Sequence, residues 1–149
     1  MDRTMRWLSA AAAAVTIMVA SAAANAAMPP KFAIACEAGR FGHGPSEAGA
    51  RANLQASAER GPQYRDTYEF DLEARTTKMK WADGKRVQTR TMTALTADAI
   101  EIYNYRLLTV ESSRRFDFNT MLNTSVSHFT SADPDYAWAV TEQHCAVTR

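Results

Sequence analysis

The chemically able residues of this chain fall into a basic run, a cysteine pair and a scatter of histidines and carboxylates. Residues 75–90 carry six cations (Arg75, Lys78, Lys80, Lys85, Arg86 and Arg90) against one acid, Asp83, for a local net charge of +5. Residues 98–142 carry seven acids against three arginines, a net of −4. Lys78 and Lys80 on one strand, with Arg86 and Arg90 on the next, would share one face of a hairpin. Such a ribbon suits an anionic partner, either an acidic protein or an envelope component such as a lipid headgroup. The bland account of the same residues is a solvated face, or a sheet edge kept from aggregating by its lysines.

Cys36 and Cys145 are the two cysteines of the chain. In an exported protein an even pair reads as a disulfide. Closing a loop of about 110 residues stabilises the fold by on the order of 4 to 5 kcal/mol in the chain-entropy picture. A metal site built from Cys36, Cys145, His144 and His43 is the rival. It fails on spacing, because adjacent His144 and Cys145 point to opposite faces of a strand.

No catalytic constellation emerges from the remaining candidates, His43, His128, His144, Asp66, Asp71, Glu73, Asp117 and Glu142. His128 shares a strand face with Val126 and reads as a hydrogen-bonded structural residue. Ser125 and Ser127 lack the glycine-flanked elbow that activates a nucleophile. Glu69, Asp71 and Glu73 form an outward row about 7 Å apart, as solubility requires. Gly39, Gly42 and Gly44 invite comparison with phosphate loops, but Pro45-Ser46 stands where a Walker loop needs Lys-Ser or Lys-Thr. Their spacing also misses the dinucleotide fingerprint. The expectation is a flexible loop, no cofactor and no enzymatic activity.

Positioning these residues is a β-rich chain. Tyr68, Phe70 and Leu72 alternate with Glu69, Asp71 and Glu73, and Met79 and Trp81 alternate with Lys78 and Lys80, the period of strands with one buried face. Asp83-Gly84 marks a tight hairpin turn before Val87. Residues 31–37 read as a first strand that partners a last one at 137–147. Ser46 caps a helix over 46–59, with a surface excursion as the alternative. Residues 87–95 continue as a threonine-rich strand. Ile100 and Ile102 alternate with Glu101 and Tyr103 through 105, and 107–111 forms a further strand. Ser112-Ser113 is a polar break, 114–119 and 124–130 are strands, and residues 131–135 turn into the last one. Seven or eight short strands predict a mainly β fold, a single antiparallel meander forming a barrel or a sandwich.

At the amino terminus, Arg3 and Arg6 precede an apolar run over residues 8–20 and an Ala24-Asn25-Ala26 cleavage signal. The run is shorter than the roughly 20 residues that span a bilayer. Residues 1–26 therefore read as a cleavable signal peptide and 27–149 as one domain, periplasmic or secreted, with no transmembrane segment after cleavage. Cleavage leaves 149 − 26 = 123 residues with 15 basic and 15 acidic side chains. That balance lacks the basic excess of a nucleic-acid binder.

The successive patterns Y-E-F-D-L at 68–72, K-M-K-W at 78–81, A-I-E-I at 99–102 and R-F-D-F-N-T at 115–120 resemble small, mostly uncharacterised exported β-rich proteins of proteobacteria. The resemblance covers about half the mature chain. It implies a calycin-like meander, with no activity and no site residues to carry across. The leading functional expectation is an exported non-catalytic β-domain that binds a protein or envelope component through Lys78, Lys80, Arg86 and Arg90. The alternative is a calycin-like carrier whose Phe70, Trp81, Phe116, Phe118 and Trp138 line a cavity for a small apolar ligand. A hydrolase of unknown type is the second alternative.

Overall fold

Period-two alternation becomes a series of antiparallel strands in the computed structural model, which describes residues 28–56 and 65–148. The expected signal segment and the end of the expected helix lie outside the described residues. The strands are β1 (Lys31–Glu37), β2 (Arg40–Gly44), β3 (Gln55–Ala56), β4 (Arg65–Asp71), β5 (Thr76–Lys80), β6 (Val87–Thr91), β7 (Ala94–Leu95), β8 (Ala99–Leu107), β9 (Val110–Asp117), β10 (Leu122–Phe129) and β11 (Trp138–Val147). Nine of them form one sheet in the order β6-β5-β4-β1-β11-β10-β9-β8-β7, and β2 and β3 branch from β11. The sheet curls into a half-barrel and has more strands than the seven or eight expected.

The two ends of this order, β6 and β7, are consecutive in the chain. Met92 N–H donates back to Arg75 O at 2.8 Å, while Thr93 N–H donates across to Glu101 O at 2.9 Å. Within two residues the chain thus leaves the β5 edge and joins the β8 edge, closing the barrel at that end. Beyond the bend β6 and β8 make no ladder with each other, so the opposite end is an open mouth.

Register decides what lines the interior. Phe32, Ile34 and Cys36 on β1 stand opposite Phe70, Tyr68 and Asp66 on β4. All of these but Asp66 form the buried core with Ile100, Ile102, Phe116, Met79 and Met92. Phe70 stacks on Phe32 at 4.8 Å and on Phe116 at 5.7 Å between ring centroids. These rings fill the closed end, and burying each is worth about 1.5 to 3 kcal/mol.

Cys36 and Cys145 are directly opposed in the β1–β11 ladder and form the expected disulfide. It joins the first and last strands where β11 changes partner, from β2 along Trp138 to Glu142 to β1 at Cys145 to Val147.

Several local expectations need correction. Gly42 and Gly44 of the glycine cluster lie in strand β2, with Gly39 just before it, and not in a flexible loop. A Cβ on Gly42 would lie 2.1 Å from Ala50 O, and one on Gly44 would lie 2.6 Å from Ala50 N, so the glycines let helix α1 (Glu47–Ala52) sit directly on the strand. Ser46 caps that helix, accepting from Gly49 N–H at 3.0 Å. The helix stops at Ala52, short of the expected 59, because Asn53 turns its amide to His43 O at 2.9 Å and residues 55–56 pair with β2. Ser112-Ser113 is no break: β9 runs through it, and Ser112 Oγ lies 2.8 Å from Ser127 Oγ of β10. The loop at Asp83-Gly84 is wider than a two-residue turn, since Trp81 N–H donates to Arg86 O at 3.1 Å. Gly84 alone there has a positive φ, of 68°, and Asp83 instead accepts from the Lys85 and Arg86 N–H groups.

Candidate functional site

The mouth of the half-barrel holds a cavity of about 220 Å³. Strands β4, β5, β6, β8, β9 and β11 line it, and one irregularity shapes it. On β4 the inward row that supplies Phe70 to the core continues as Tyr68 and Asp66. On β9 the same alternation that buries Phe116 turns Arg114 inward. Gln143 of β11 lies beside them, opposite Asn123 in the ladder.

The irregularity is a bulge in β8. Glu101 pairs with Arg115 but Tyr103 pairs with Arg114, so Ile102 is the extra residue. Strict alternation would send Tyr103 and Tyr105 outward with Glu101, as the sequence predicted. The bulge shifts the phase by one, and both tyrosines face the cavity while Asn104 is exposed.

Arg114 is the centre of a polar network. Its Nε donates to Tyr103 Oη at 3.1 Å and its Nη1 to Tyr68 Oη at 2.8 Å, with Gln143 Oε1 at 3.5 Å. The guanidinium also lies 5.8 Å and 6.0 Å from the centroids of the Tyr103 and Tyr68 rings. Among the described residues no carboxylate lies within ion-pair distance of it, and its Nη2 donates to none of them. Asp66 lies on the same lining but is otherwise engaged, Oδ1 by Ala82 N–H at 3.1 Å and Oδ2 by Gln143 Nε2 at 2.9 Å. Gln143 also accepts from Asn123 Nδ2 at 3.0 Å.

The tyrosines respond in opposite ways. Burial raises the Tyr68 phenol above its ordinary value, and Arg114 only partly opposes that shift. Burial pushes Tyr103 up as well, but the charge and hydrogen bond of Arg114, with the Ser125 and Ser112 hydroxyls, outweigh it and the net shift is downward. Burial disfavours the Arg114 charge, yet Tyr68, Tyr103 and Asp66 hold its proton more tightly than water does.

Register divides the expected basic face. Lys78 stands opposite Thr89 and Lys80 opposite Val87, and these four point outward. Arg90 stands opposite the fully buried Thr77, and Gln88 opposite Met79, so both point inward. Arg90 then reaches across the open seam, 4.9 Å over the Tyr103 ring and 5.6 Å over that of Tyr105. Arg86, in the loop after β5, lies 5.2 Å over Trp81 and pairs with Asp83 at 2.8 Å. Two of the four predicted residues, Arg86 and Arg90, thus line the cavity. Lys80 pairs instead with Glu69 on the outer face, and Lys78 is opposite Glu69 in the ladder.

The five aromatics expected to line an apolar cavity do not share one. Phe70, Phe116 and Phe118 pack together in the closed end, Trp81 borders the polar mouth, and Trp138 stacks on His128 at 4.4 Å. That pair belongs to a second concavity, of about 570 Å³, on the outer face of β9, β10 and β11. His43 lies beside Phe41 and Tyr136. Among the described residues no group of three metal-ligating side chains comes together, and no helix is long and apolar enough to cross a membrane.

Sequence reasoning missed Arg114, Tyr103, Tyr105 and Gln143. Arg114 had a signal, since it is in phase with Phe116 and Phe118. The adjacent apolar pair Ile102-Tyr103, which interrupts a period of two, was the signal for the bulge. No family model matches the chain, and neither a curated protein nor a solved structure does.

Proposed function

We propose that the protein is an exported, non-catalytic β-domain that binds an anionic component of the cell envelope at the mouth of its half-barrel. One observation carries this reading: Arg114 points into the mouth without a carboxylate partner among the described residues, and Arg90 and Arg86 stand beside it. A part-buried guanidinium hydrogen-bonded only to neutral groups, with Nη2 unused among the described residues, can still donate a charge-assisted hydrogen bond to an anion. The disulfide is compatible with an extracellular or periplasmic setting. The outer lysines fit less well, because Lys80 is ion-paired with Glu69 and Lys78 stands opposite the same carboxylate.

The division of the basic residues supplies the test. Immobilised protein is challenged with solubilised envelope material, and retention is compared between two double variants. Arg86→Gln with Arg90→Gln is expected to lose most of the retained material. Lys78→Gln with Lys80→Gln is expected to retain as much as the unaltered protein. Equal retention by both variants would refute the reading.

A further inference from the structure

The mouth is too small for a folded segment. At roughly 30 Å³ per water, its volume of about 220 Å³ holds about seven waters or one small organic molecule. Its charges balance for one kind of guest. Arg86, Arg90 and Arg114 contribute three positive charges, and Asp66 on the lining with Asp83, the ion-pair partner of Arg86, contributes two negative ones, so 3 − 2 leaves +1. A monoanion brings the site to neutrality; a dianion overshoots it.

The donors point to the shape of the charged group. Arg114 spends Nε and Nη1 on the two tyrosines and Gln143, which leaves Nη2 without a hydrogen-bond partner among the described residues, on a side chain that lines the cavity. A planar carboxylate can accept from that nitrogen and from a phenol beside it in one plane. The walls point to the rest of the molecule. Trp81 under Arg86 forms one side, and Tyr103 with Tyr105 under Arg90 forms the other. Flat rings paired with guanidinium groups favour a flat, unsaturated body between them.

We propose that the mouth is a binding site for a small monocarboxylate with a planar body, its carboxylate on Arg114 and its ring between Trp81 and the Tyr103–Tyr105 wall. This rests on the reading of the mouth as an anion site and names the guest. The Ile102 bulge is then the specificity device, because it places both tyrosines on the cavity side.

The test is isothermal titration calorimetry of the disulfide-bonded protein with sodium benzoate, benzamide and inorganic phosphate as probes. Benzoate is expected to bind one-to-one, and benzamide, with the same shape and no charge, at least about tenfold more weakly. Arg114→Met is expected to abolish benzoate binding and Arg90→Gln to weaken it several-fold, with far-UV circular dichroism unchanged. Should Arg114→Met fail to fold, the rim variant Arg90→Gln decides alone. Equal affinity for benzamide, or benzoate affinity unaltered by Arg90→Gln, overturns the proposal. Saturable binding of phosphate but not benzoate overturns the planar guest and leaves the anion site standing. Binding of neither probe, with envelope retention also unaffected by the arginine double variant, removes both.

Discussion

Arg114 and Phe116 are two residues apart on the same face of β9, and they occupy opposite halves of one interior. Phe116 is fully buried among Phe70, Phe118 and the Ile100–Ile102 pair, at the end where Met92 and Thr93 carry the chain across the seam. Arg114 sits at the end where β6 and β8 do not pair, bonded to phenols and an amide. One half is packed as a core is packed. The other half retains a cavity and a guanidinium without a carboxylate partner among the described residues. Incomplete satisfaction of this kind is what a binding site leaves for its ligand, and stability is given up to keep it.

The contrast is sharpest in a pair of substitutions on that strand. Phe116→Ala is expected to destabilise the protein by about 3 to 5 kcal/mol, because the rigid sheet around it cannot collapse onto the void. The midpoint of urea unfolding measures it, and a loss below about 1 kcal/mol would mean that the closed end is not the structural core. Arg114→Met should behave oppositely. It keeps most of the volume, while Tyr68 retains Gln143, and Tyr103 retains the serines, as hydrogen-bond partners. Its stability should fall by no more than about 1 kcal/mol. A loss as large as that of Phe116→Ala would make Arg114 a structural keystone and erase the distinction between the two ends.

The smallest effect is spectroscopic. Tyr103 lies below the ordinary phenol value and Tyr68 above it, so Tyr103 ionises first as the pH is raised. Arg114 lowers both, so in Arg114→Met both phenols should titrate at higher pH. Carbon-13 labelling at the tyrosine Cζ reads the two transitions separately. Titration in the reverse order would show that the network around Arg114 is differently wired.

The sequence made much of the fold legible because its signals are local. Alternation at residues 68–72 and 78–81 marked β4 and β5, and residues 31–37 coincide with β1. Ser46 capped a helix as its type predicts. The site was less legible for a reason visible in its members. Tyr68 and Arg114 are 46 residues apart and Asp66 and Gln143 are 77 apart, and each becomes meaningful only through its partner. Arg86 and Arg90 were visible as charges, but which charges face inward depends on the register of β6 against β5. The hydropathy of Arg90 points outward; its position opposite Thr77 points it in.

By itself, then, the sequence determined the β class, the positions of most strands, and the pairing of Cys36 with Cys145, which had no other partner to choose. Side-chain periodicity and a single cysteine pair need no knowledge of distant neighbours. The tertiary structure alone decided that the sheet curls and closes at one end through Met92 and Thr93, that β11 exchanges β2 for β1, and that the Ile102 bulge turns two tyrosines toward Arg114. Each of these is a change of phase or partner along a strand. A strand has two faces and two edges, and only the neighbours that pair with it settle which face is inside.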